Sequence, residues 1–77
     1  MNDFIDRALS AQVKQADAMI EKHKVNVEIL TKNAVGVAEH PDIMATIEKE
    51  LERIAYWTDI KNAASIFDYR QQKTLVE

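Results

Sequence analysis

Two histidines, a series of carboxylates and a set of cations interleaved with aromatic rings are the side chains here whose types and spacing could do chemistry. His23 and His40 could bind a metal or respond to pH. They stand about one helix length apart in the chain, so they could share an ion only across subunits. Glu48, Glu50 and Glu52, with Asp59 further on, invite comparison with the carboxylate-bridged metal sites of helical bundles. Those sites need Glu-x-x-His on inward faces. Neither histidine follows a glutamate by three, and these acids are expected outside the apolar stripe, on a solvated charged face. Ser10, Ser65 and the threonines have no histidine beside them in sequence, so no catalytic triad can be assembled. The expectation is a protein with no enzymatic activity, no metal and no cofactor.

The remaining cluster is Arg53, Tyr56, Trp57, Lys61, Tyr69 and Arg70. Rings alternating with cations at helical spacing could stack on a base, grip an anion or form a protein-binding hot spot. Two roles follow. Arg53, Lys61, Tyr69 and Arg70 are candidate anion or partner contacts. Trp57, Ile60, Ala64 and Phe67, with Tyr56, are the candidate oligomer or partner interface.

The element that would carry the first histidine runs from Leu9 to about Ala34. Apolar or small residues recur there in steps of four and three: Leu9, Val13, Ala16, Ile20, His23, Val27, Leu30 and Ala34. On a right-handed helix this puts all of them on one stripe that another helix must cover. His23 is its one polar member, read as an imidazole satisfied by a neighbour or water across the interface. Asn2 or Asp3 can cap the helix, Asp6 suits its first turn, and Glu21 with Lys24 and Glu28 with Lys32 have helical spacing and opposite charge. Gly36 and Pro41 then mark a short turn, with Gly36 closing one helix and Pro41 and Asp42 opening the next. A connection of that length makes the helices antiparallel neighbours.

The second helix begins with a stripe of Met44, Ile47, Leu51 and Ile54. From Trp57 the apolar residues shift to Trp57, Ile60, Ala64 and Phe67, which predicts either a change of partner along one continuous helix or a break near Thr58. The continuous helix is preferred, because neither glycine nor proline supports a break. The pattern as a whole predicts an all-α antiparallel hairpin with helix 1 at about 3–35 and helix 2 at about 41–70. Residues 1–77 form one domain, and 71–77 form a tail that should fray.

A chain of 77 residues without cysteine can use neither disulfides nor thiolate metal sites to reinforce a small core. Ile43, Tyr56, Trp57, Ile60, Ile66, Phe67 and Tyr69 exceed what one interhelical seam can cover, so self-association into a four-helix bundle or larger oligomer is expected. Thirteen acidic against ten basic residues give a net charge of −3, with the bases scattered singly, so no general nucleic-acid affinity is indicated. Met1 to Arg7 does not read as a signal peptide, and no stretch has the roughly 20 apolar residues of a membrane span. These features predict a small cytoplasmic helical module that binds itself and another protein as an adaptor, assembly factor or inhibitor. Two rival readings are a nucleic-acid regulator built on a dimeric bundle and an oligomeric binder of a small anion held between subunits by Arg53, Tyr56 or Lys61.

Overall fold

The computed structural model describes residues 3–33 and 42–67. Two helices account for nearly all of them: α1, Asp3–Lys32, and α2, Ile43–Ser65. They pack against each other, and no strand occurs among the described residues. At 1.5 Å per residue the helices are about 45 Å and about 35 Å long. Asp17 meets Lys61 while His23, further along α1, meets Glu50, earlier in α2, so the pair is antiparallel. The fold is an all-α helical hairpin.

On α1 the stripe read from the sequence is the packed face. Ala16 is fully buried and His23 nearly so, while Leu9, Val13, Ile20, Val27 and Leu30 are half-buried. Local pairing supports the same helix: Lys24 approaches Glu21 at 3.9 Å, whereas Glu28 and Lys32 form no ion pair. Thr31 Oγ1 donates to the Glu28 carbonyl in the last turn, 2.9 Å away.

The packed face of α2 differs from the expected one. Of the expected first stripe Ile47 and Ile54 are half-buried, but Met44 is 71% and Leu51 53% exposed, and Ile43 and Glu50, one residue earlier in each case, take their places. The residues turned toward α1 are Ile43, Ile47, Glu50, Ile54, Trp57, Lys61 and Ala64, all half-buried. This is the same alternation of four and three that α1 shows, carried through the whole helix. The shift of stripe at Trp57 therefore does not occur. Glu50 and Lys61 occupy seam positions, and a reading by apolar residues alone slides off them onto neighbours.

α2 runs unbroken through Thr58, as a segment without glycine or proline should. It ends at Ser65 rather than near residue 70. There the bonding tightens to three-residue steps, with Ile66 N–H donating to Ala63 O at 3.2 Å and Phe67 N–H to Ala64 O at 3.1 Å. At the other end Asp42 is the N-cap residue, but its side chain does not cap. Its carbonyl accepts from both the backbone N–H and the hydroxyl of Thr46. The expected turn at Gly36 and Pro41 and the frayed tail 71–77 lie outside the described residues, as do Asn2, Ala34 and His40.

Candidate functional site

The polar contacts between the helices come from residues that helical periodicity brings to the seam. His23 Nδ1 lies 2.6 Å from Glu50 Oε1, and Asn26 Nδ2 donates to the same oxygen at 2.9 Å. His23 and Asn26 are one turn apart on α1, so both reach a single carboxylate from α2. The expectation of a satisfied histidine holds, and its partner is Glu50. The expectation that Glu50 belongs to a solvated face does not. Its side chain is 21% exposed and sits in the seam. Glu48, Glu52 and Asp59 are exposed.

These contacts set the charge of the carboxylate. The His23 hydrogen bond, followed by that of Asn26, holds Glu50 below its ordinary value of 4.5; partial burial opposes them, and charge on His23 and Lys22 adds to the lowering. A depressed carboxylate contributes stability that is fully present above the ordinary value and is lost as pH falls through the folded one. The melting temperature of the hairpin should accordingly drop on acidification below about pH 4.5. Glu50→Gln, which cannot ionise, should remove that part of the drop; identical pH profiles for the two chains would show that Glu50 does not carry it.

Lys61 is the second polar residue on the α2 seam. It pairs with Asp17 across the hairpin at 2.6 Å. With both side chains about half exposed, the pair is worth about 0.2–1 kcal/mol. The other members of the cation and aromatic cluster divide. Tyr56 and Trp57 meet edge to face with ring centroids 5.0 Å apart. Trp57, Ile60 and Ala64 are half-buried within the hairpin, whereas Tyr56, Phe67 and Arg53 are exposed. Tyr69 and Arg70 lie outside the described residues.

The two polar contacts sit on opposite edges of the seam and so define two sides of the hairpin. With residues 100° apart around each helix, the side marked by His23, Asn26 and Glu50 also carries Met19, Lys22 and Ile29 of α1, and Lys49, Arg53, Tyr56 and Ile60 of α2. The influence of Lys22 on Glu50 agrees with that placement. The side marked by Asp17 and Lys61 carries Lys14, Glu21, Lys24 and Glu28 of α1, with Met44, Glu48 and Leu51 of α2.

Neither side gathers a set of metal-ligating side chains among the described residues: no three histidine or carboxylate groups stand where they could hold a metal. One surface hollow is lined, among the described residues, by Asp6, Arg7, Ser10, Ala11 and Lys14, all from α1. No described helix is long and apolar enough to cross a membrane.

Asp17, Asn26 and Glu50 are the residues that sequence reasoning missed. The signal for Glu50 is its place seven residues from both Ile43 and Trp57, in step with the α1 pattern. Comparison of the chain with protein families, with characterised proteins and with solved structures finds no match.

Proposed function

We propose that this chain is a small non-enzymatic helical module whose work is to bind protein surfaces through the apolar residues its hairpin leaves uncovered. One observation carries the reading. Ala16 is the only fully buried apolar residue among those described, while Val25, Ile29, Met44, Leu51, Tyr56, Ile66 and Phe67 are each more than 40% exposed. A single seam between two rods does not cover this surface, and exposed apolar area on that scale marks interaction sites in soluble proteins.

The partner is another protein, a second copy of the chain, or both. A homodimer would double the hairpin into a four-helix bundle, the simplest closed arrangement of such rods. The apolar character of the exposed residues ranks both above a nucleic-acid regulator and a small-anion binder. The chain's net charge of −3 disfavours the first of these rivals, and an anion held by Lys61 would have to compete with Asp17, which disfavours the second.

The test is mass against concentration by light scattering, for the native chain and for Tyr56→Glu/Phe67→Glu. Both positions are exposed, so the variant should fold. Assembly of the native chain and its loss in the variant is the expected outcome if copies meet there. A chain that stays monomeric at high concentration and binds no protein or peptide would overturn the proposal.

A further inference from the structure

We infer that the His23 side of the hairpin is a docking face for an amphipathic helix of another protein, one whose apolar stripe is flanked by aspartate or glutamate. This deepens the interaction-module reading and rests on it.

Charge carries the inference. Lys22 of α1 and Lys49 and Arg53 of α2 are exposed on this side, and none forms an ion pair with a described residue. Within the two helices a single acid shares that side, Glu50, and its carboxylate is taken by His23 and Asn26. The opposite side is arranged differently, with Asp17 against Lys61 and Glu21 against Lys24. Within the two helices, one long side of a chain with a net charge of −3 thus carries three cations and no uncompensated acid, the N-cap Asp42 standing at its end, seven residues before Lys49.

Between those cations, beside the Asn26–Glu50 hydrogen bond, lie apolar groups: Met19 and Ile60 are half-buried, and Tyr56 is 53% exposed. Two helices lying side by side leave a groove along their junction, and a third helix packs into such a groove at an interaxial distance of about 8–10 Å. An apolar stripe would cover Met19, Tyr56 and Ile60 while flanking carboxylates reached Lys22, Lys49 and Arg53. A phosphate backbone would use the cations and leave the aliphatic residues in water. A second copy meeting this side with its own would set three cations against three with no free carboxylate, an arrangement that interfaces avoid.

The experiment titrates the full chain with three synthetic helical peptides of about 20 residues, sharing one leucine stripe. Their flanks are glutamate in the first, lysine in the second and glutamine in the third, and a DNA duplex serves as a polyanion control. Binding is read from label anisotropy and from the single tryptophan, Trp57. The glutamate peptide should bind at least about tenfold more tightly than the lysine peptide, and the preference should shrink as salt rises. Lys49→Glu/Arg53→Glu, both exposed, should invert the preference with helicity unchanged by circular dichroism. Lys22→Gln/Lys49→Gln/Arg53→Gln should level it.

Equal binding of the three peptides, tighter binding of the duplex, or a dimer through this face that no peptide displaces would each overturn the inference while the interaction module stands. A chain that binds no probe and never associates would remove both.

Discussion

Ala16→Leu is expected to destabilise the hairpin by about 1–3 kcal/mol, read as a shift of the urea midpoint at constant slope. Ala16 has no exposed surface, and the register set by the two polar contacts puts it opposite Trp57. A methyl group facing an indole lets the two backbones approach. Added carbons must push the helices apart or force the ring from its rotamer. Domains have about 0.05–0.15 kcal/mol of stability per residue, so a chain of this length has roughly 4–12 kcal/mol in all, and the loss is a large share. The opposition of the two side chains can be tested separately. With Trp57→Val in the background, Ala16→Leu should cost less, because the space is already open; strictly additive effects would show that the residues do not face each other.

Trp57→Ala is expected to cost about 2–4 kcal/mol, toward the lower part of the range for aromatic truncation because the ring is half-buried. The informative quantity is concentration dependence. From the sequence, Trp57 is an interface residue between chains, and its removal should act by weakening assembly. In the fold it belongs to the seam between α1 and α2, so truncation should lower stability and helicity even where the chain is monomeric. A loss that vanishes on dilution would return the indole to an intermolecular role.

The difference between these expectations shows what the sequence made legible. The α1 stripe could be read because its members are apolar or small except His23, and one polar residue does not hide a repeat of that length. Antiparallel pairing followed from the spacing of the helices. The α2 face was harder. Two of its seam residues are Glu50 and Lys61, charged types that normally mark a solvent face. Beside Glu50 stands Leu51, an attractive false member of the stripe. Only a partner across the seam makes a charge acceptable there, and no periodicity within α2 reveals that His23, Asn26 and Asp17 wait on α1. The candidate face for partners was half visible. Arg53 and Tyr56 were singled out, but Lys22 and Lys49 join them only once the helices are laid side by side.

The same polar contacts decide between alternative alignments of the two rods. Both helices repeat their apolar pattern every seven residues, so hydrophobic fit alone would tolerate sliding one along the other by a whole repeat. One such slip carries Lys61 from Asp17 to Lys24, and the other carries it to Ser10. Glu50 would move off His23 onto Leu30 or Ala16, losing the imidazole in both cases, and only the first slip brings up an amide, Asn33, in place of Asn26. Apolar contact makes the rods adhere, and a few charges tell them where to stop.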